Sequence, residues 1–245
     1  MNISEHNKEL YKEEFKNQKL YHHAQSDKVK KIINLIRNHP EKVLDAGCGD
    51  GWLGKKIKDK FNAEVHGIDI VKDALKSAEK SGLKVKKYDL SKGKWPYKDN
   101  YFDLVVAGDI LEHIYDTETF VRECWRILKK GGQLIVSTPN INSYQNRILV
   151  FFGCMPLWVD YAPNLRSYDN YKVSGHVRVF NKKTLTKLLT YYKFKIEKVK
   201  GSYYLIDKSL LPEKYRWLVP VANWFEKFMA RITPVASSII VSAVK

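Results

Sequence analysis

The sequence predicts an α/β fold, a doubly wound parallel sheet, and three observations carry that prediction. Short apolar runs alternate with segments of helical spacing between residues 42 and 137. The first run, Val43-Leu44-Asp45-Ala46, passes directly into Gly47-Cys48-Gly49-Asp50-Gly51. Acidic residues stand at the ends of three successive runs, as Asp45, Asp69 and Asp89.

Lys42–Ala46 is a short apolar strand, and Trp52, Leu53, Ile57 and Phe61 recur at helical spacing behind it. Glu64–Ile70 forms a second strand, Lys72–Ser81 a helix and Lys84–Tyr88 a third strand. Phe102–Ala107 reads as a buried fourth strand. Thr117–Lys129 is a helix with Phe120, Val121, Cys124, Ile127 and Leu128 on one face. Gly131-Gly132 is expected to stop it ahead of a fifth strand at Gln133–Ser137. Strands alternating with helices of this length mean βαβ units. A helix over Ser26–Arg37 precedes the core, within an N-terminal helical cap at residues 1–40.

Beyond the core at 41–139 the regularity breaks. Residues 140–180, rich in Tyr, Asn, Pro and Trp, are expected to cover a site as a lid. A helix over Lys182–Tyr192 and strands at Phe194–Tyr204 and Ser237–Val244 complete a single domain. Between the last strands lies a helical insert, 207–234, in which Val221, Trp224, Phe225, Phe228, Met229 and Ile232 form an apolar, largely aromatic stripe. Two readings stay open: the stripe packs on the sheet or a partner subunit, or residues 213–232 dock on a membrane or shield a greasy substrate.

A chain of 245 residues, 44% hydrophobic and 29% charged, has the composition of a soluble globular protein. The strongest apolar run, Ile148–Val159, is too short to cross a bilayer, and the N-terminus lacks the pattern of a signal peptide. A cytoplasmic location is the expectation. Cys48, Cys124 and Cys154 show no metal-ligand spacing and read as free thiols. The net charge of +16 fits an anionic partner, but its lysines are dispersed, as in Lys55-Lys56 and Lys86-Lys87, and suit solvated surfaces equally well. Arginine-rich tracts interleaved with aromatic residues, as an RNA groove needs, do not occur.

The glycines after Asp45 allow a tight turn and a close backbone approach, and the helix beginning near Trp52 offers free N–H groups to an anionic group. A dinucleotide fingerprint would place glycine at position 52, where Trp52 stands. Asp69 is placed to accept hydrogen bonds from ribose hydroxyls, and Asp89-Leu90 to meet an adenine edge.

With these residues the chain resembles the class I S-adenosylmethionine-dependent methyltransferases. The likeness runs over VLDAGCGDGWLG, HGIDI, KYDL, FDLVVAGDILEHI and LKKGGQLIVSTPN, most of residues 41–140. It implies a Rossmann-like, seven-stranded, mostly parallel sheet with an antiparallel last strand and lid insertions. It also implies S-adenosylmethionine as cofactor and S-adenosylhomocysteine as product. Asp45 and the Gly47-Cys48-Gly49 turn would contact the methionine end, Asp69 the ribose, Ile70 the adenine face, Asp89 and Leu90 the adenine edge, and Gly108 the cofactor after the fourth strand. The stretch GHVRVFNKKTLTKLL at 175–189 resembles a broad subgroup, of type 11/23 kind, acting on quinone, sugar and lipid-linked small molecules.

Methyl transfer is an in-line displacement that needs alignment and, for a hydroxyl or amine, removal of a proton. His113 and His176 are the candidate catalytic residues. Asp109, Glu112 and His113 would share one face of a helical turn. There Glu112 and His113 orient the loop, or His113 acts as base, or the trio binds a metal, as a similar trio does in quinone-type O-methyltransferases. No metal is assigned. His176 and Arg178 face an acceptor or form a hinge. Tyr144, Phe151, Phe152, Trp158 and Tyr161 would line an aromatic acceptor pocket. A small, hydrophobic or anionic acceptor for O- or N-methylation is the leading expectation, in a monomer or homodimer. An RNA- or protein-modifying enzyme and a non-catalytic cofactor-binding protein are the alternatives.

Overall fold

The computed structural model describes residues 18–159, 175–206 and 213–245. Among them, α1 (Gln18–Ala24) and α2 (Ser26–Leu35) precede the sheet. The core follows as β1 (Lys42–Ala46), α3 (Trp52–Phe61), β2 (Glu64–Asp69), α4 (Lys72–Lys80), β3 (Lys84–Lys87) and β4 (Phe102–Gly108). Then come α5 (Thr117–Ile127), β5 (Leu128–Pro139), α6 (Tyr144–Phe151), α7 (Lys182–Tyr191), β6 (Lys195–Ser202), α8 (Val219–Met229) and β7 (Ser238–Val244).

The seven strands lie in the order β3-β2-β1-β4-β5-β7-β6. β1 through β5 pair in parallel, whereas β7 runs antiparallel to both β5 and β6. The expected Rossmann-like sheet is thus the one observed. Strand order reverses between β1 and β4, and the crevice at the carboxyl ends of those two strands is where open α/β sheets bind ligands.

Pleating divides the core into two layers. Leu44, Val105, Leu134 and Val136 join Phe120, Cys124, Leu185 and Leu189 on one face. Val43, Leu104, Val106 and Ile135 join Ile32, Ile57, Leu75 and Ala78 on the other. Strands buried on both faces must be apolar at successive positions, which is why these runs stand out in the sequence. Lys55, Lys56, Lys86 and Lys87 are exposed, in keeping with solvated element surfaces.

Three expectations are corrected. The helix α5 ends at Ile127, and Gly131-Gly132 lies within β5 rather than between the two elements. The register slips there, from Phe102 opposite Leu128 to Leu104 opposite Gln133, and Gly131 takes φ +77° in the resulting irregularity. The helix preceding the core stops at Leu35 instead of Arg37. The stripe of α8 does not pack on the sheet: Trp224 is 66% exposed, and Val221, Phe225, Phe228 and Ile232 are exposed too. Val219 and Glu226 are the helix's buried residues instead. No helix among the described residues is long and apolar enough to cross a membrane.

Candidate functional site

The loop from β1 to α3 builds the floor of the site. Gly47 adopts φ +77°, and a Cβ there would come within 2.7 Å of the Ile110 side chain, so only glycine lets the two loops meet. Gly51 caps α3 in the left-handed region, and the carboxylate of Asp50 accepts the Trp52 N–H at 3.0 Å. The Gly47 and Cys48 amides both donate to the Ile68 carbonyl, tying the loop to β2.

Asp45, at the end of β1, is 2% exposed. Burial, opposed by a backbone N–H from Gly54 and reinforced by the nearby Asp69 carboxylate, pushes its pKa up to about 7. Asp69 is buried too: its oxygens accept the Gly49 and Val71 N–H groups at 2.9 Å each, and desolvation raises its pKa despite those bonds.

A cavity with about 840 Å³ of empty space, part of it open to solvent, opens above this floor. Of the residues expected at the cofactor, Asp45, Gly47, Cys48, Gly49 and Gly108 line it. Asp69, Ile70, Asp89 and Leu90 lie outside its lining. Asp89 is half-buried and caps a local turn through the Ser91 N–H and hydroxyl, and the Leu90 carbonyl accepts the Trp95 indole N–H at 3.3 Å.

The roof comes from α1 and α2. Tyr21, His22, Gln25, Lys28, Val29 and Ile32 line the cavity from that side. The His22 ring stacks on Trp52 with centroids 4.3 Å apart, and its Nε2 lies 2.9 Å from Asp50 Oδ2. Lys28, 2% exposed, forms an ion pair with Asp109 and reaches the Tyr204 hydroxyl at 3.1 Å. Asp109 sits at φ +51° and accepts the Ser137 hydroxyl at 2.9 Å. Lys28, Gln25, Ser137 and Tyr204 were not among the expected site residues. One signal was present: a lysine shares the buried face of α2 with Val29, Ile32 and Leu35.

Asp109, Glu112 and His113 do not share a helical face, because Asp109 is left-handed and only Leu111–His113 make a short 3₁₀ turn. Asp109 turns to Lys28. The third group beside Glu112 and His113 is His176, delivered when the Val177 and Arg178 amides both bond the Glu112 carbonyl. The two imidazoles pack edge to face with centroids 4.8 Å apart. His113 Nδ1 lies 3.1 Å from the Gly175 carbonyl, and His176 Nδ1 lies 3.0 Å from the Trp158 carbonyl. Glu112 is 2% exposed, and burial together with Asp109 holds its pKa well above the carboxylate range.

Among the described residues the expected aromatic acceptor pocket is largely not formed. Phe151 and Phe152 are 83% and 73% exposed, and Tyr144 turns to Phe225 and Glu226. Tyr161 lies outside the described residues. Trp158 lies near His176, with ring centroids 6.0 Å apart, and near Tyr204 at 5.7 Å. Arg178 lies over the Tyr115 ring at 4.6 Å and donates to the Tyr115 carbonyl.

S-adenosylmethionine can be tested against this cavity by charge. The buried Asp45 carboxylate is an acceptor suited to the ammonium of an amino acid, and it lines the cavity together with Gly47, Cys48 and Gly49. The residues present therefore fit.

Residues 44–136 match the family model described as a methyltransferase domain. A probable S-adenosylmethionine-dependent methyltransferase of Mycobacterium tuberculosis (strain CDC 1551 / Oshkosh) is 35% identical over 98 residues, covering 40% of this chain and 35% of that protein. The human mitochondrial ubiquinone biosynthesis O-methyltransferase is 36% identical over 124 residues, covering 44% of this chain and 33% of that one. The chain thus spans about a third of the length of these curated relatives. A solved Thermotoga maritima structure, described as a SAM-dependent methyltransferase and possible histamine N-methyltransferase, superposes with TM-score 0.66 at 17% identity, over 98% of this chain and 99% of that one. Its likeness concerns the fold. From the glycine loop on β1, the sheet order and the matched region it follows that residues 44–136 are a methyltransferase domain of the class I, S-adenosylmethionine-dependent kind.

Proposed function

We propose that the chain transfers a methyl group to a hydroxyl or amine of a small hydrophobic acceptor carrying an anionic group. The observation that carries this reading is the position of His113 and His176. They stand beside Glu112, three residues beyond Asp109, itself in the wall of the cofactor cavity. When bound, S-adenosylmethionine supplies a methyl carbon activated by a sulfonium. The chain's part is to bind, orient and deprotonate. Asp45 would hold the ammonium, Asp69 the ribose, and Asp89 with Leu90 the adenine edge, with Ile70 on its face. A carbonyl can only accept, so His113 Nδ1 must carry the proton toward Gly175. The lone pair of His113 is then on Nε2, where it can take the acceptor's proton.

The relatives' names suggest the acceptor class, since the human protein acts in ubiquinone biosynthesis. The exposed aromatic face of α8 supports a hydrophobic one. Val221, Trp224 and Phe228 are exposed there and Trp217 just before it, flanked by exposed Lys214, Arg216, Lys227 and Arg231. Apolar rings ringed by cations suit an anionic lipid surface, from which such an acceptor could be drawn.

Titration calorimetry with S-adenosylhomocysteine, followed by turnover with quinol and phenolic lipid acceptors, tests the proposal. Micromolar binding that Asp69→Ala weakens at least tenfold is expected, with methylated product detected by mass spectrometry. Wild-type affinity in Asp69→Ala, or no methylation of any oxygen or nitrogen acceptor, would sink it.

A further inference from the structure

The end of α6 holds large apolar side chains out to water. Phe151 and Phe152 are 83% and 73% exposed, and Met155 follows at 53%. The backbone that carries them is fully bonded. Gly153, at φ +74°, donates to the Val150 carbonyl and Cys154 to that of Leu149, the paired bonds of a Schellman cap. The buried Asn146 closes the loop behind them by accepting the Leu157 N–H at 2.7 Å. The chain therefore builds a bonded protrusion with two phenylalanines at its tip, and apolar side chains presented in this way mark a surface with a partner.

The protrusion is clamped to α8. Tyr144 packs edge to face on Phe225 with centroids 5.2 Å apart, and Glu226 accepts the Tyr144 hydroxyl at 2.7 Å and the Gln145 amide at 2.6 Å. The two helices contain one acidic residue, Glu226, and it is buried. Arg147 and Lys227 on these helices, and Arg231 just beyond α8, are exposed.

We propose that the tip of α6 inserts into an anionic lipid bilayer together with α8, so that two anchors set the acceptor pocket at the lipid surface. Charge favours this partner over a second copy of the chain. An isologous contact would press the exposed cations against their own copies with no exposed carboxylate on either helix to meet them. A bilayer offers apolar depth for the rings and negative headgroups for the cations. Beyond the tip the chain runs directly into Leu157 and Trp158, which line a small pocket with His176 and Arg178. One anchor would leave the molecule free to turn about it, whereas two fix which side faces the lipid. The use of that orientation rests on the methyl transfer proposed above: the acceptor's apolar tail would stay in the bilayer while its head group enters between Trp158 and Arg178.

The chain carries its own reporter. Cys154 lies in the tip and is exposed, whereas Cys48 and Cys124 are buried, so a nitroxide attaches at Cys154 alone. The labelled full chain is mixed with vesicles of phosphatidylcholine and phosphatidylglycerol in equal parts. Electron spin resonance power saturation then compares the label's access to oxygen and to an aqueous nickel chelate. On these vesicles the label should become shielded from nickel and accessible to oxygen, and on phosphatidylcholine alone it should stay aqueous. In the unlabelled chain, Phe151→Ser with Phe152→Ser should weaken co-sedimentation with the anionic vesicles about tenfold or more, at unchanged S-adenosylhomocysteine affinity. A label that stays open to nickel while the chain co-sediments would overturn the proposal. So would equal insertion into neutral vesicles, unchanged vesicle binding in the double variant, or a homodimer by light scattering that the double variant dissociates. A shielded label in a chain with no affinity for S-adenosylhomocysteine would keep the anchor and overturn the methyltransferase reading.

Discussion

Asp45 shows how one buried carboxyl can couple ligand binding to protons. Its pKa rises to about 7 because burial penalises the charged form. Between about pH 4 and 7 the unfolded chain releases this proton while the folded chain keeps it, so stability falls as pH rises through that window. Asp45→Asn escapes that loss. Its gain in melting temperature over wild type should be small at about pH 4.5 and larger at about pH 8, as followed by circular dichroism. A bound ammonium would favour the ionised carboxylate. Cofactor binding at pH 7 should therefore release a fraction of a proton, measurable by calorimetry in buffers of different ionisation enthalpy and absent in Asp45→Asn. Lys28 and Asp109 pose a different test. Removing one partner of a buried ion pair strands the other, so Lys28→Met should cost about 3 kcal/mol in urea unfolding. The double variant Lys28→Met with Asp109→Asn should recover most of it.

At the scale of elements, the loop from β1 to α3 and the helix α8 behave oppositely. The loop has no slack: Gly47→Ala would place a methyl group in a left-handed backbone and against Ile110. Loss of S-adenosylhomocysteine binding with an otherwise folded sheet, by calorimetry and circular dichroism, is the expected outcome. The helix α8 is tied down by Glu226, which accepts from Tyr144, Gln145 and Ser237, while its aromatic side stays open to solvent. Trp224→Ser with Phe228→Ser should abolish co-sedimentation with anionic vesicles and leave cofactor affinity intact. Unchanged vesicle binding would remove α8 from the membrane reading. The helical spacing of this stripe was visible in the sequence, but not its exposure. Period tells that residues share a face, and only the neighbours tell what the face meets.

Across the whole molecule, the alternation of buried strands and helices, the glycine turn after Asp45 and the acidic strand ends were determined by the sequence alone. These are local properties: strand burial writes apolar runs, and a left-handed turn demands glycine at its own position. They were enough to indicate the sheet and its cofactor. Tertiary structure alone decided the rest. Lys28 meets Asp109 across 81 residues, and His113 meets the Gly175 carbonyl across 62. It replaced Asp109 by His176 beside Glu112, turned Phe151 and Phe152 to solvent, and carried β5 through the glycines that were expected to precede it. Such contacts depend on how loops of distant elements converge at the carboxyl edge of the sheet, and no periodicity in the chain records that convergence.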